Sequence, residues 1–272
     1  FLVIEIVKIT TDGDKNQKDR LSEIGGKGLF SKKIEEELID KNIDLAVHSL
    51  KDMPSEETLG LISNCFLKRN APEEILITKE NKKFSELNSN AIIGTSSFRR
   101  EFQLKRIRND LNYKTIRGNI DTRISKINNK DYDGIILAKA GIKSLNLDHL
   151  ISQEFSTQEI IPSAGQGIVS IQCREDDTEV INILNKVNDK ISNISAQAER
   201  KVLKILEGDC HTAVGIFSKI NNDDFEISGE LFSLDGKQRF FKIIKDKISN
   251  FLKVSIELGN YLKRESKDSY KK

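Results

Sequence analysis

Apolar positions along the chain alternate between two spacings. LVIEIVKIT (2–10), DLAVHSL (44–50), EILIT (74–78), AIIGTS (91–96), DGIILA (133–138) and IVSIQCR (168–174) are short, β-branched runs that predict strands, with LGLISNCFLK (59–68) and YKTIRG (113–118) as further ones. LFSKKIEEELIDK (29–41), residues 98–108, residues 120–128 and SAQAERKVLKILE (195–207) instead repeat apolar side chains every three or four positions, as helices with one buried face do. This βαβ rhythm predicts mostly parallel sheets with helices on both faces. Gly208 is placed to cap the last of these helices. Beyond it the pattern changes. Residues 211–245 predict an antiparallel set with a turn at Asp235–Gly236, followed by a helix over 248–264 and a solvated, frayed tail, ESKDSYKK. The layout is two α/β domains and a small α+β domain.

Composition narrows the class. A chain of 272 residues with 37% hydrophobic and 32% charged residues is a globular protein, and no apolar run reaches the length of a membrane span. Phe1 opens inside an apolar run, as if a strand were entered partway through a domain, and no signal peptide is visible. The formal charge of +2 hides a basic middle: residues 92–143 hold 12 Lys and Arg against 5 Asp and Glu. A locally basic segment with few aromatics fits a local anionic ligand better than a nucleic acid.

Two βα junctions carry that charge. GTSSFRR (94–100) follows a strand and opens a helix. Thr95, Ser96 and Ser97 offer hydroxyls, the first helical turn offers free N–H groups, and Arg99 and Arg100 add fixed charge, which together make a carboxylate or phosphate cradle. The plainer alternative is N-capping beside two solvated arginines. IRGNIDTR (116–123) repeats the arrangement one unit later with Arg117, Gly118 and Arg123. In adjacent parallel units both would meet at one sheet edge, where open α/β sheets bind ligands. AVHSLKDMP (46–54) ends a buried strand with His48, Lys51 and Asp52 and breaks at Pro54. Asp52 is a carboxylate poised beside a reacting cation, or else half of a Lys–Asp surface pair. IGGKGLF (24–30) holds Lys27 in a glycine-rich turn that lacks the spacing of a nucleotide loop, and PSAGQG (162–167) places Gln166 either on a ligand or in a hinge between domains.

The cysteines sit at 65, 173 and 210, and neither they nor the three histidines have metal-ligand spacing. This points to a reducing compartment without disulfides or zinc. Cys65 and Cys173 fall in strand patterns as small packed groups. Cys210 follows a helix end in polar surroundings, beside His211, where a thiol is inert or carries something.

GGKGLF, DLAVHSLKDMP, GTSSFRR, RGNIDTR, DGIILAKAGIKSL, PSAGQG and LEGDCHTAVG occur in order and span nearly the whole chain, and together they resemble the hydroxymethylbilane synthase (porphobilinogen deaminase) family. The resemblance implies two α/β domains like those of periplasmic binding proteins, with mixed sheets, plus a small C-terminal α+β domain: 1–68 with 167–188, then 69–166, then 189–272. It implies a transferase of the cytoplasm, monomeric, binding neither nucleic acid nor membrane. A dipyrromethane primer would be attached by a thioether to Cys210. Four porphobilinogen units would be added head to tail with loss of ammonia, and 1-hydroxymethylbilane released by hydrolysis. Asp52 would be the catalytic carboxylate that stabilises each cationic azafulvene. Lys51, Thr95, Ser96, Ser97, Arg99, Arg100, Arg117 and Arg123 would hold the carboxylates of the primer and growing chain, and Lys27, Arg117, Arg123 and Gln166 would contact substrate. A thiolate suits attachment to a soft, electron-poor methylene carbon.

There are departures from the pattern. The family's first strand and helix, with an arginine and a serine that touch substrate and cofactor, do not precede Phe1, and a chain starting there would be less stable and nearly inactive. Glu23 stands where relatives often carry a basic residue, and Asp209 replaces the second of two usual glycines before the cysteine. The competing readings are a non-catalytic anion-binding clamshell, which gives Asp52 and Cys210 no task, and a nucleic-acid-binding protein.

Overall fold

The computed structural model describes residues 4–11, 31–129, 131–208 and 212–271. The described strands form three sheets. The first takes β1 (Leu45–Ser49), β2 (Leu61–Phe66) and β8 (Val169–Arg174), with β8 in the middle and both neighbours antiparallel to it. The second takes β3 (Glu74–Thr78), β4 (Ile92–Gly94), β5 (Asn112–Lys114), β6 (Gly134–Ala138) and β7 (Gln153–Phe155) in the order β5-β4-β6-β3-β7. The third is an antiparallel meander of β9 (Val214–Asn221), β10 (Asp224–Phe232) and β11 (Arg239–Lys247).

The sheets are mixed rather than mostly parallel. Parallel neighbours need a crossover, and among the described residues only α2 (Phe98–Ile107) and α3 (Ile120–Asn128) supply one, joining β4 to β5 and β5 to β6. β3 enters the second sheet from the first and runs antiparallel to β6, and β7 runs antiparallel to β3.

The remaining helices are α1 (Lys32–Ile39), α4 (Lys139–Ser144), α5 (Thr178–Leu184), α6 (Lys190–Ile205) and α7 (Phe251–Ser266). α1 buries Leu38 against Ala46 and Leu61 of the first sheet. The second sheet has a core on each face, one built on Leu76, Ile93, Leu104 and Phe155, the other on Ile75, Ile135, Ile116 and Ile142. α6 and α7 pack together over the meander through Ala198, Val202, Leu258 and Leu262. Ala196 of α6 turns the other way, onto Leu50, Met53, Phe66 and Ile168 of the first unit. No described helix is long and apolar enough to cross a membrane.

Three local expectations need correction. Residues 4–10 enter no ladder, and Ile4 and Ile6 lie exposed. A β-branched run becomes a strand only when a neighbouring edge pairs its backbone, and none of the described edges does so. α6 ends at Ile205 with Glu207, not Gly208, in the left-handed conformation. Glu207 N–H donates to Lys204 O and Gly208 N–H to Leu203 O, a Schellman ending. The tail is docked rather than frayed. Left-handed Lys267 and Asp268 turn the chain back, Tyr270 is buried, and its hydroxyl donates to Leu206 O at 2.9 Å. Lys263 and Lys271 close on the Glu207 carboxylate at 2.6 and 3.0 Å.

Candidate active site

The carboxyl ends of β4, β5 and β6 and the amino end of β3 lie at one edge of the second sheet, since β3 runs against its neighbour. After β4 the chain enters α2 through Thr95, Ser96 and Ser97. Ser97 is the N-cap, its hydroxyl accepting from Arg100 N–H at 3.4 Å. Thr95 Oγ1 accepts from Ser97 N–H at 3.2 Å, and Ser96 Oγ donates to Ile116 O, tying this turn to the one after β5. The capping of the plainer alternative is therefore present, but its solvated arginines are not, since Arg99 and Arg100 are buried. The hydrogen of Ser96 is engaged, whereas Thr95 and Ser97 act as acceptors here and can still donate.

The second turn holds Arg117 and Arg123. Gly118 has φ +111°, and a Cβ there would meet Thr122 at 2.7 Å, so the loop folds tightly against α3. The N-cap Asn119 accepts from Thr122 N–H, Arg123 Nε donates to Gly118 O at 2.7 Å, and Lys126 donates to Arg117 O at 3.0 Å. Arg117 is buried and Arg123 half-buried. Burial lowers the Arg123 pKa to about 10, with Arg100 and Arg117 adding to the effect and Asp52 opposing it. The two turns thus do converge.

At their centre lies Glu74, the first residue of β3, which sequence reasoning did not single out. Its carboxylate is fully buried, 2.7 Å from both Arg99 Nη2 and Arg100 Nη2. Burial pushes its pKa up, but Arg100 and Arg99, with Lys51 behind them, bring it down to about 2. Arg99 also donates to Ile161 O at 2.9 Å, which engages both terminal nitrogens inside the protein. Arg100 donates to Ile136 O at 3.3 Å, and its Nε is buried with no acceptor among the described residues. Both arginines are thus held at their terminal nitrogens, and Arg100 differs in keeping a buried Nε unpaired among the described residues. The only hint in the sequence was an acidic residue opening an otherwise apolar strand.

Gln166 lies beneath the cradle, on the segment that returns to β8. It is fully buried, and its amide donates to Pro72 O at 2.6 Å and to Glu74 Oε1 at 3.0 Å. Both amide hydrogens are thereby taken, so it bears on a ligand only through Glu74.

Lys51 and Asp52 come from the first sheet. β1 runs into a single 3-10 turn, Leu50–Asp52, pinned by Leu50 N–H donating to Ile168 O at 3.0 Å. Leu50 and Met53 are buried on either side of the pair, which leaves Asp52 exposed and Lys51 half-buried. Burial lowers the Lys51 pKa, with the neighbouring Asp52 opposing it, and Arg100, Glu74 and Arg99 act on it from the second sheet. The structure brings Lys51, Asp52, Arg100, Arg117 and Arg123 into one electrostatic neighbourhood.

Lys27, Glu23, Cys210 and His211 lie outside the described residues. The flanks of the Cys210 segment are firmly held. Leu206 is buried beneath Tyr270, and Ala213 packs against Phe98, Phe102 and Phe232. Cys65 and Cys173 are buried free thiols, raised in pKa by burial. His48 is buried too. Its ring lies 3.1 Å from Gln172 Oε1, and burial lowers its pKa against the opposing effects of Gln172 and Glu35. It is a satisfied interior group.

Comparisons with known proteins bear on the whole chain. Residues 2–182 match a family model described as porphobilinogen deaminase, dipyromethane cofactor binding domain, and residues 194–266 match porphobilinogen deaminase, C-terminal domain. A porphobilinogen deaminase of Alkaliphilus metalliredigens is 39% identical over 95% of this chain and 82% of its own. Those of Syntrophomonas wolfei and Exiguobacterium sibiricum are 43% and 45% identical, over 88% and 86% of this chain and 78% and 77% of theirs. Among solved structures, the periplasmic VFT2 domain of Bordetella pertussis BvgS aligns at a TM-score of 0.38 and 14% identity, covering 62% of this chain and 70% of its own.

Proposed function

The chain belongs to the porphobilinogen deaminase family, and on that premise we propose that Asp52 is its catalytic carboxylate, working beside a cationic cradle of Lys51, Arg100, Arg117 and Arg123. The reaction is that of hydroxymethylbilane synthase, a transferase that condenses porphobilinogen units with loss of ammonia, using a dipyrromethane cofactor.

One observation supports the assignment of roles: Lys51 and Arg123, from the two sheets, both lie close enough to the exposed Asp52 carboxylate to feel its charge, and Arg100 and Arg117 crowd Arg123. A chain of pyrroles bearing acetate and propionate arms is a polyanion, and guanidinium forks match carboxylates bidentately. Arg100 keeps a buried Nε without an acceptor among the described residues, which fits a donor set built for such arms. Arg100, Arg117, Arg123 and Lys51 would hold the cofactor's carboxylates, with Thr95 and Ser97 donating neutral hydrogen bonds. When bound, dipyrromethane supplies the nucleophilic pyrrole carbon at which the chain grows. Cys210 is the proposed thioether anchor.

Asp52 lies at the open side of the cradle. When the aminomethyl C–N bond of the substrate breaks and ammonia leaves, positive charge develops on the substrate, and a carboxylate alongside stabilises it. The same group takes the proton released as the new C–C bond restores the pyrrole ring. The Leu50–Met53 turn, gripped on both sides, keeps that carboxylate in place.

Intact-mass measurement of purified protein tests the anchor: the expected result is a dipyrromethane adduct that maps to Cys210 and is absent from Cys210→Ala. Asp52→Ala should fold normally and lose about 10²- to 10⁴-fold in turnover. Near-normal turnover in Asp52→Ala would remove that residue from its role.

A further inference from the structure

A pocket of about 230 Å³ lies away from the cationic cradle, between β2 and the α6 helix, lined by Phe66 and several polar side chains. Its strand side is irregular. The register of β2 against β8 shifts between Ile62 and Cys65, and Ser63 and Asn64 occupy the shift. A bulge of this kind re-aims side chains out of the ladder, and both residues line the pocket. Ser63 is 8% exposed, and its hydroxyl has no hydrogen-bond partner among the described residues. A buried hydroxyl left unpaired is costly enough to call for an explanation.

The helix side supplies charge and amides. Arg200 lines the pocket with a side chain 13% exposed, and it donates one hydrogen bond, from Nη2 to Pro54 O at 2.7 Å. The other N–H groups of its guanidinium have no protein acceptor among the described residues. Glu57, the carboxylate beside it, stands 3.8 Å off, beyond hydrogen-bond length. Asn193 and Gln197 complete that wall, Gln197 donating to Asn193 Oδ1 and Asn193 to Asn64 O. The donors left over are the remaining N–H groups of Arg200 and the Ser63 hydroxyl, beside a space too small for a drug-sized molecule.

We propose that this pocket is a non-catalytic binding site for a small monocarboxylate of acetate or propionate size, held by the Arg200 fork and the Ser63 hydroxyl. Glu57 is its internal competitor. The carboxylate comes either from a free organic acid or from one arm of a second porphobilinogen molecule; the latter source rests on the function proposed above. Because Arg200 also holds Pro54 O, two residues beyond Asp52, an occupant braces the catalytic turn against α6.

Saturation-transfer NMR of the full chain with propionate, against chloride at matched ionic strength, tests the site. The expected result is saturable binding that weakens about 10- to 100-fold in Arg200→Gln and about fivefold in Ser63→Ala, and tightens in Glu57→Gln. Binding that never saturates, or that is equal in wild type, Ser63→Ala and Glu57→Gln, overturns it. Those two changes, one removing a lone hydroxyl and one at the exposed Glu57, decide the matter if Arg200→Gln fails to fold. Steady-state kinetics identify the source. Inhibition at high porphobilinogen that disappears in Ser63→Ala assigns the site to a second substrate molecule, and unchanged kinetics beside saturable propionate binding assign it to a free acid. A chain that makes bilane but binds no propionate sinks this site alone, while one that binds propionate without making bilane sinks only the function.

Discussion

Glu74 decides how much of the cationic edge is available to a ligand. Three cations near one another in a partly dry site repel, and a buried carboxylate between Arg99 and Arg100 offsets that repulsion. Its depressed pKa makes the contribution pH-dependent. The stability it confers is fully present above about 4.5 and is lost as pH falls through about 2, because the unfolded carboxyl takes up its proton first. Glu74→Gln should therefore cost about 3–5 kcal/mol at neutral pH and lose part of the wild-type acid sensitivity below pH 4.5. Urea denaturation at pH 7 and pH 3 measures both, and wild-type stability at pH 7 would contradict the buried ion pair. The paired arginines should separate as well. Arg99→Lys breaks the contact to Ile161 O and falls mainly on stability, whereas Arg100→Lys falls mainly on KM for porphobilinogen.

At the scale of elements, the turn that carries Asp52 depends on packing as much as on its own residues. Gly165 has φ +73°, and a Cβ there would meet Leu50 Cγ at 2.7 Å, inside a side chain that is 1% exposed and cannot retreat. Gly165→Ala should shift the Leu50–Asp52 turn, destabilise the chain by about 1–3 kcal/mol, and lower kcat more than it raises KM. Equal kcat in the variant would show that the turn tolerates the push. The same contrast between local and distant interactions governs what the sequence revealed. The β4–α2 and β5–α3 junctions were readable because their capping residues, glycine and arginines lie within a few positions of one another. Asp52 and Cys210 stood out by position, and the resemblance supplied their roles, without any distances. Glu74, by contrast, pairs with residues 25 and more positions away, and nothing in its neighbourhood distinguishes it from an ordinary strand end. Strand direction, the unpaired run at 4–10 and the docked tail all turn on partners remote in sequence.

Across the whole molecule, one carboxylate ties the three sheets together. Glu199 of α6 is fully buried and accepts from Arg69 at 2.6 and 3.2 Å, from Gly165 N–H at 2.7 Å, and from Ser218 N–H and Oγ–H at 2.8 Å each. Arg69 lies on the segment leading from β2 to β3, Gly165 on the segment returning to β8, and Ser218 on β9 of the meander. Both crossings between the first two units and the unit that carries the Cys210 segment therefore meet at a single side chain. Arg69 is fixed further by Gln166 O and by the Phe217 ring beneath its guanidinium at 4.7 Å. A glutamine at 199 keeps the shape but has one acceptor oxygen for five donors, and it leaves Arg69 without a counter-charge in a nearly closed site. The expected loss is about 3–5 kcal/mol. It should appear in calorimetry as a separate, earlier transition for the meander with α6 and α7, because the contacts inside that unit are untouched while its attachment to the hinge is weakened. Primer loading, read by intact mass, should survive below that first transition, with turnover reduced as the anchor shifts relative to Asp52. A single transition at the wild-type temperature would show that the apolar contacts of Ala196 and Phe102 hold the units together without Glu199.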